Sequence, residues 1–191
     1  MTSVAVVTPR YPPVSDGGGE QSARLLTTSL LDEPRIDDVT VFAFDGEDHV
    51  EEDALTVRRL GTVSPLVTEY QNLIAGWKLC GRLASFDVVH AYNMELHPVV
   101  GYLCDRVSVP SVGTLNSYHF FPSSVTNTSA TGLEWLYERV ALPTTGRLLR
   151  RYMHRIDAFV ALSRAIERIY RANGFADARI EHIPNMNDPS F

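Results

Sequence analysis

Three consecutive glycines near the amino terminus have the pattern of an anion site. An apolar run at residues 4–7 leads through a proline-rich stretch to Gly17, Gly18 and Gly19, and a predicted helix begins at Glu20. Glycine permits positive φ and lets a ligand approach the backbone. The first turn of a helix adds unpaired N–H groups and the positive end of the helix dipole. The pattern predicts a phosphate-bearing ligand here. An ordinary strand-to-helix connection is the alternative, because the glycine spacing matches neither the Gly-x-Gly-x-x-Gly motif nor the Walker motif that ends in Gly-Lys-Ser/Thr.

The energy available from this feature is small. One helix terminus contributes about 0.3–2 kcal/mol to the binding of an anion. Micromolar affinity requires about 8 kcal/mol. We therefore expect further groups to close around a ligand bound at the glycines.

Other polar and aromatic residues follow two later predicted strands. His90, Tyr92 and Asn93 stand at the end of one of them, with Glu95 and His97 in the loop after it. Asn116, Tyr118 and His119 open a stretch, residues 116–131, that has no helix or strand periodicity. Loops of this length are typical of binding loops or lids. A single histidine within a strand is more often a structural residue, and that interpretation stays open for His90.

Apolar runs of strand length alternate with helical periodicity along the chain. This alternation predicts an α/β fold, a Rossmann-like three-layer sandwich with a mostly parallel sheet of about seven strands. Strands are predicted at residues 4–8, 39–44, 56–60, 87–92, 111–115, 158–162 and 179–183. Helices are predicted at residues 20–31, 67–84, 98–106, 133–155 and up to about 173, the last with Ser163 as N-cap and Gly174 after its end.

Composition limits the class of protein. The 191 residues carry a net charge of −6, but ten of the 23 acids lie in residues 32–53, so bases outnumber acids in the rest of the chain. Cys80 and Cys104 lack the short spacing of a metal or disulfide framework, which predicts buried thiols in a reduced compartment. No leader or membrane-length apolar run is present in this sequence, so we expect a soluble cytoplasmic protein. No residue spacing suggests a metal site, so we expect neither a metal nor a cofactor.

A cluster of basic residues suggests one further surface. If residues 133–155 form one helix, Arg147, Arg150, Arg151, His154 and Arg155 share one face of it. The simplest interpretation is a solvated stripe. Peripheral contact with anionic lipids at the inner face of the cell membrane is the alternative. Nucleic acid is disfavoured, because the chain is acidic and carries no recognition module.

Three motifs in order resemble the N-terminal domain of family 4-like (GT4) glycosyltransferases, which have the GT-B fold. They are residues 12–20, from Pro-Pro to the glycines and Glu; residues 86–92, Phe-Asp-Val-Val-His-Ala-Tyr; and residues 155–163, leading to His-Ile-Pro-Asn at 182–185. The resemblance covers essentially the whole chain. It implies one half of a GT-B fold, with an acceptor-side domain at residues 1–184 and the start of an interdomain linker at residues 185–191. The C-terminal, donor-binding domain would then be absent from this chain.

The resemblance also implies roles for residues. Gly17, Gly18, Gly19 and Glu20 would contact the donor diphosphate. An acceptor would meet four residues: His90, Tyr92, Asn93 and Tyr118. The family usually has Thr-x-His after the fifth strand, and here Thr114-Leu115-Asn116 places an amide there. Either His119 substitutes from the loop, or the transfer needs no histidine, as in a retaining reaction assisted by the donor phosphate; Asn116 and His119 are the catalytic candidates.

The activity so implied is retaining transfer of a sugar from a nucleotide-sugar to a glycan or lipid-linked acceptor. The nucleotide-sugar is a co-substrate, and this chain alone is expected to be inactive without its C-terminal domain. Two alternatives stay open. One is a non-catalytic acceptor- or membrane-binding subunit of a split glycosyltransferase, and the other is part of a GT-B-fold sugar-nucleotide epimerase.

Overall fold

A single parallel sheet organises the molecule. The computed structural model describes residues 2–46, 55–63, 68–126 and 128–185, apart from the side chain of Leu133. The strands are β1 (Thr2–Val7), β2 (Ile36–Ala43), β3 (Leu55–Arg59), β4 (Val88–Ala91), β5 (Ser111–Leu115), β6 (Ala158–Ala161) and β7 (Ile180–His182). All neighbours pair in parallel in the order β3-β2-β1-β4-β5-β6-β7. The predicted Rossmann-like α/β class is confirmed.

Six α-helices lie in the described ranges. They are α1 (Gly18–Leu31), α2 (Thr68–Leu79), α3 (His97–Val107), α4 (Gly132–Val140), α5 (Arg147–Met153) and α6 (Arg164–Ala172). The Ser163 hydroxyl caps α6 by accepting from the amide of Ile166 at 3.2 Å, and Gly174 follows with φ of +103°, as predicted. No helix in the described part of the chain is both long and apolar enough to cross a membrane.

The handedness of the crossovers distributes the helices unequally between the two faces of the sheet. Crossovers between parallel strands are right-handed, so the direction of movement across the sheet decides which face a helix covers. The step from β1 to β2 places α1 on one face, where Ala23 packs against Val4 and Val41. The later steps run the opposite way and place α2 and α3 on the other face. The α1 face of β4–β6 therefore has no described helix over it, and Val88, Val112 and Val160 on this face are only half-buried.

Two of the three sequence motifs have a structural task at the amino edge of the sheet. Asp87 stands before β4 and accepts from the Ser3 amide at 2.8 Å and its hydroxyl at 3.0 Å. Asp157 stands before β6 and accepts from the Ser111 amide and hydroxyl at the same two distances. Each aspartate thus fixes the start of the neighbouring strand. Bonds from Ser3 lower the pKa of Asp87.

The single helix predicted at residues 133–155 is wrong. α4 ends at Val140, a π-helical turn spans Leu142–Gly146, and α5 ends at Met153. Pro143 lacks the N–H that a regular helix requires, and the Gly146 amide instead donates five residues back to the Ala141 carbonyl at 2.9 Å. This wider turn interrupts the α-helical hydrogen bonding.

Three residues of the predicted basic face make contacts within the protein. The Arg150 guanidinium lies 5.6 Å from the centre of the Phe121 ring. The His154 ring stacks on Phe175 at 4.0 Å, and Arg155 pairs with Asp105. These three side chains make contacts within the protein, so the stripe reduces to Arg147 and Arg151, which are exposed.

Two smaller predictions also need correction. α2 ends at Leu79 instead of residue 84, because Gly81 adopts a left-handed conformation with φ of +74°. Cys80 follows this end of the helix and is exposed, whereas Cys104 is buried as predicted. Residues 47–54, which hold five of the ten clustered acids, and residues 186–191 of the predicted linker lie outside the described residues.

Candidate functional site

A polar cavity of about 390 Å³ opens at the carboxyl edge of the sheet. It lies beside β1 and β4, where the strand order reverses direction, and such switch points are where open α/β sheets bind ligands. The loops after β1 to β5, the start of α1 and one residue of α2 contribute to it. Its lining residues are Pro9, Arg10, Ser15, Glu20, Phe44, Asp45, Thr62, Val63, Gln71, Asn93, Glu95 and His119.

A buried ion pair builds one wall of the cavity. Nη1 of Arg59 donates to Oδ1 of Asp45 at 2.6 Å, and to the carbonyl of Tyr11 at 3.0 Å. Its Nη2 donates to the Pro12 carbonyl at 2.8 Å. Asp45 Oδ2 accepts from the Tyr11 amide at 2.8 Å. Arg59 and Asp45 therefore fix the loop after β1 relative to β2 and β3.

A buried amide holds a second wall. The Nδ2 of Asn72 donates to the Glu95 carbonyl at 2.7 Å and to the Thr68 carbonyl at 2.9 Å, and its Oδ1 accepts from the Val99 amide at 3.1 Å. The side chain thus joins α2 to the loop after β4. Glu95 is positioned by this contact, since its own carbonyl is one of the acceptors.

Four residues singled out from the sequence meet at the cavity: Glu20, Asn93, Glu95 and His119. His119 is exposed, and its Nε2 is hydrogen-bonded to the hydroxyl of Thr68. Asn116 does not line the cavity. Its Nδ2 lies 3.3 Å from the Oδ1 of Asn93 and 3.4 Å from the Tyr92 carbonyl, so it supports the loop that carries Asn93.

His90 and Tyr92 lie beside the cavity instead of in its wall. The Nε2 of His90 is 2.7 Å from the Thr114 hydroxyl, and removal from water lowers the pKa of His90 to about 4. It is therefore neutral at pH 7. Tyr92 is buried against the α1 face of the sheet, and burial raises its pKa. Their predicted role as acceptor contacts is untested.

The long loop after β5 is anchored at its start. Phe120 and Phe121 are 0% and 6% exposed and belong to the core around Phe159 and Tyr170. Tyr118 packs partly against the same core, with its ring 6.5 Å from that of Tyr170. The first half of this loop is therefore held in place by the core, and its His119 lines the cavity; its role as a binding loop stays a prediction. Tyr118 does not line the cavity, and the acceptor contact predicted for it stays a prediction.

The glycine triplet begins α1 without any left-handed residue. Gly17 is the N-cap with φ of −89°, and none of the three glycines has positive φ, so that expectation is wrong. A Cβ on Gly18 or Gly19 would meet nothing within 4 Å, whereas one on Gly17 would lie 2.5 Å from a Glu20 carboxylate oxygen. The backbone at Gly18 and Gly19 is thus open to a ligand. The Glu20 carboxylate lies close to the helix start, where an anion would bind.

The cavity suits a ligand rich in hydroxyl groups. Arg10 is the one Lys or Arg among its described lining residues, and Glu20 and Glu95 add carboxylates. Carboxylates and amides such as Gln71 accept or donate hydrogen bonds to hydroxyls. Sequence reasoning missed Arg10, Ser15, Asp45, Thr62 and Gln71. A signal existed for some of them, since Arg10, Asp45 and Thr62 each follow a predicted strand within three residues.

Within the residues that the structure describes, no group of three or more His, Cys, Asp or Glu side chains could hold a metal ion. His97, considered above as a polar candidate, is fully buried, and its Nε2 donates to the Ala91 carbonyl at 3.0 Å. Burial lowers the pKa of His97 to about 3. Its Nδ1 has no hydrogen-bond partner among the described residues. His97 is therefore a neutral structural residue.

Solved structures share the fold at low identity. Sucrose-phosphate synthase (tll1590) from Thermosynechococcus elongatus aligns with a TM-score of 0.70 and 16% identity, over 96% of this chain and 48% of that one. An α,α-trehalose-phosphate synthase (UDP-forming) from Burkholderia xenovorans, in complex with glucose-6-phosphate, aligns with a TM-score of 0.62 and 16% identity, over 95% of this chain and 49% of that one. Anabaena Alr3699/HepE, in complex with UDP and glucose, aligns with a TM-score of 0.62 and 14% identity, over 98% of this chain and 45% of that one.

These similar structures are about twice as long as this chain, which spans about half of each. At such identities they show the fold alone, that of one half of a GT-B glycosyltransferase. No curated protein sequence gives a significant match. The family model described as Glycosyltransferase Family 4 matches residues 16–191, most of the chain. The chain therefore belongs to Glycosyltransferase Family 4.

Proposed function

We propose that this chain is the acceptor-side, N-terminal domain of a retaining glycosyltransferase that moves a sugar from a nucleotide-sugar to a glycan or lipid-linked acceptor. The polar cavity at the strand-order reversal is the observation that carries the proposal. It combines one cation with carboxylates and amides, a set of groups that can hydrogen-bond the hydroxyls of a sugar. The cavity is the acceptor site in this proposal, with Asn93 and His119 contacting the acceptor.

The donor would lie over the start of α1. Gly18 and Gly19 leave open space where a diphosphate could approach the helix N-terminus. The donor phosphates would repel the Glu20 carboxylate, which would turn away from Gly17. In this proposal the backbone of Gly18 and Gly19 therefore replaces the phosphate contact predicted for the Glu20 side chain. This contact alone is too weak for binding, so the rest of the donor site belongs to a second domain.

Two observations support a second domain. The chain spans about half the length of the similar solved structures. The α1 face of β4–β6 leaves Val88, Val112 and Val160 half-buried, which is unusual for parallel strands, since these are normally covered on both faces. A C-terminal domain that continues past residue 185 would cover this face and complete the donor site.

The proposed reaction requires little proton transfer from this domain. In a retaining transfer assisted by the donor phosphate, the departing diphosphate accepts the proton of the acceptor hydroxyl, and the domain orients that hydroxyl. His119 can hydrogen-bond the hydroxyl from the cavity wall. Asn116, through its contact with Asn93, would position the same wall. His90 would stay neutral and structural in this mechanism.

The test compares glycine variants in the full-length native protein. We expect a panel of nucleotide-sugars to include one that the enzyme turns over with release of nucleotide. Gly18→Val should lower kcat/KM for that donor by more than tenfold, since its side chain enters the open space. Thermal stability should be unchanged, because a Cβ there meets no neighbour. Ser29→Val is the matched control, because it places the same side chain at an exposed position of α1 that does not line the polar cavity.

Three results would contradict the proposal. An unchanged kcat/KM in Gly18→Val would show that the donor does not bind at the glycines. Conversion of the donor into an epimer without any acceptor would favour an epimerase. Absence of turnover, combined with a native chain that ends near residue 191, would favour a non-catalytic binding subunit.

A further inference from the structure

A buried glutamine in the wall of the polar cavity has no hydrogen-bond partner within the described ranges. Gln71 of α2 is 5% exposed and lines the cavity, and its side-chain amide bonds to none of the described residues. A buried amide that makes no hydrogen bond is unfavourable and uncommon in folded proteins. The Gln71 amide is therefore free to bind a ligand that enters the cavity.

A carboxylate without a cationic partner lies in the same wall. Glu95 is half-buried and lines the cavity, and in the part of the chain that the structure describes its carboxylate forms no ion pair. Asn72, the neighbour of Gln71 in α2, donates to the Glu95 carbonyl at 2.7 Å. This bond joins the two segments that carry Gln71 and Glu95. Both side chains offer oxygen acceptors to one ligand group.

The fixed charge of the cavity is negative. Asp45 is balanced by Arg59, which leaves the carboxylates of Glu20 and Glu95 against the single guanidinium of Arg10 among the described lining residues. Arg10 is exposed and belongs to the other wall, the loop after β1. The donor diphosphate of the proposed function would add further negative charge over the start of α1. An acceptor in the cavity therefore meets an excess of negative charge, which attracts a cation.

We propose that the cavity binds an acceptor that carries a primary amino group beside its hydroxyls, as an amino sugar or an aminocyclitol does. This inference rests on the proposed function, in which the cavity is the acceptor site. The ammonium would donate to the Glu95 carboxylate and to the amide oxygen of Gln71. An ammonium has three N–H donors and no acceptor, which suits these two oxygen acceptors. A hydroxyl of the same acceptor receives the sugar, so the transfer step is unchanged.

A phosphorylated acceptor is the alternative, because Arg10 lines the cavity. Its phosphate would meet one cation but two carboxylates that have no cationic partner in the described ranges, and the donor diphosphate would repel it as well. A neutral sugar avoids this repulsion and can donate hydroxyl hydrogen bonds to Glu95. Its bonds are weaker than those of an ammonium, because only one of the two partners is charged. The charges in the cavity therefore favour the amine.

Binding of free sugars to the full-length protein tests the inference without any transfer. The probes are glucosamine, glucose and glucose 6-phosphate, which share a hexose ring and differ in charge. Titration followed by saturation-transfer NMR gives a dissociation constant for each probe. We expect glucosamine to bind at least about tenfold more tightly than glucose, because a hydrogen bond between two charged groups replaces one with a single charge. Glucose 6-phosphate should bind more weakly than glucose.

Variants of Glu95 test which residue causes the preference. Glu95→Gln keeps the size of the side chain but removes its charge, so glucosamine should lose its advantage while glucose binding changes by less than about threefold. Glu95→Lys reverses the charge and should make glucose 6-phosphate bind more tightly than glucosamine. Asn72 bonds to the carbonyl of Glu95 and not to its side chain, so both variants should keep the thermal stability of the unmodified protein.

Glu134→Gln is the matched control for Glu95→Gln. It makes the same substitution at an exposed position of α4 that does not line the polar cavity. The glucosamine preference should be retained in this variant. A preference that Glu134→Gln removed as fully as Glu95→Gln would reflect the overall charge of the protein and would overturn the proposal.

Gln71→Met tests the second contact. Methionine is a flexible side chain of similar size and lacks the amide. The variant should weaken glucosamine binding about three- to tenfold. Its thermal stability should be equal or higher, because the amide without a partner in the described ranges is gone.

Five results would overturn the proposal. They are no detectable binding of glucosamine, equal affinity for glucosamine and glucose, tighter binding of glucose 6-phosphate by the unmodified protein, a glucosamine preference that survives in Glu95→Gln, and unchanged glucosamine binding in Gln71→Met. The proposed function fails by a different observation, the absence of nucleotide release from every nucleotide-sugar. Release of nucleotide together with no preference for glucosamine would refute this inference alone.

Discussion

Arg59 and Asp45 form an ion pair in the wall of the polar cavity, with side chains only 3% and 7% exposed and 2.6 Å between Nη1 and Oδ1. The pair does more than neutralise charge. Arg59 also donates to the carbonyls of Tyr11 and Pro12, and Asp45 accepts the Tyr11 amide. The loop that leads to the glycine triplet is therefore held by a residue of β3.

Loss of this arginine should destabilise the domain strongly. Arg59→Met leaves the Asp45 carboxylate buried without its partner, which costs about 3–5 kcal/mol. Urea unfolding measures this loss. Arg59→Met combined with Asp45→Leu should recover a large part of it, because no uncompensated charge remains. A loss below about 1 kcal/mol in the single variant would mean that the pair is worth no more than an exposed one.

The two aspartates at strand starts should differ in their contribution to stability. Asp157→Ala removes the acceptor of Ser111, which is 1% exposed, and should cost about 1–3 kcal/mol. Asp87→Ala removes the same contacts from Ser3, which is half-buried, so water can replace them at a cost below about 1 kcal/mol. Thermal unfolding of both variants tests this order. Equal losses would show that burial does not control the energy of the motif.

Two histidines should make stability fall in mild acid. The pKa of an unperturbed histidine is near 6.5, and burial lowers that of His90 to about 4 and that of His97 to about 3. Below pH 6.5 the unfolded chain binds protons that the folded chain does not. Their contribution is therefore constant above pH 6.5 and decreases as pH falls toward the folded-state values, by up to about 1.4 kcal/mol per pH unit for the fully buried His97 and by less for the half-buried His90.

His97→Gln separates this contribution from that of the carboxylates. Glutamine retains a side-chain N–H that can donate to the Ala91 carbonyl, but it does not titrate. Urea midpoints measured from pH 7 to pH 4 should fall less steeply in this variant than in the unmodified protein. His182→Gln, at an exposed position on β7, is the control and should retain the original slope. An unchanged slope in His97→Gln would contradict the burial argument.

The two thiols should react very differently. Cys80 is exposed, whereas burial raises the pKa of the Cys104 thiol to about 12. Iodoacetamide at pH 8 should therefore modify one cysteine of the native protein and both after denaturation, with the modified residue identified by mass spectrometry. Modification of Cys104 in the native state at a rate close to that of Cys80 would show that α3 opens readily.

His119 should affect transfer without affecting folding. Its side chain is exposed at the cavity, and its one described hydrogen bond is to Thr68. His119→Ala in the full-length enzyme should lower kcat/KM for transfer by about ten- to a hundredfold, if the imidazole orients the acceptor hydroxyl. His119→Gln should retain part of the rate, since an amide can hydrogen-bond the hydroxyl. Transfer rates equal to those of the unmodified enzyme would show that His119 does not orient the acceptor hydroxyl.

Local periodicity was sufficient to predict the layered α/β fold. Strand and helix signals depend on neighbouring residues, so β5, the N-cap at Ser163 and the left-handed Gly174 could be found from the sequence. The exceptions have local causes that periodicity does not express. Pro143 converts one long helix into two with a π-turn between them, and Phe120 and Phe121 enter the core from a segment that has no regular pattern.

The sequence by itself determined the order of the elements, the family motifs and the edge of the sheet at which polar residues gather. Only the tertiary structure decided which of those residues meet. Arg59, Asp45 and Tyr11 belong to three different strand ends, and their contacts depend on strand order and on the side of the sheet that each crossover takes. The same dependence placed Trp77 in solvent, because helical spacing alone does not specify whether a given face of α2 is covered.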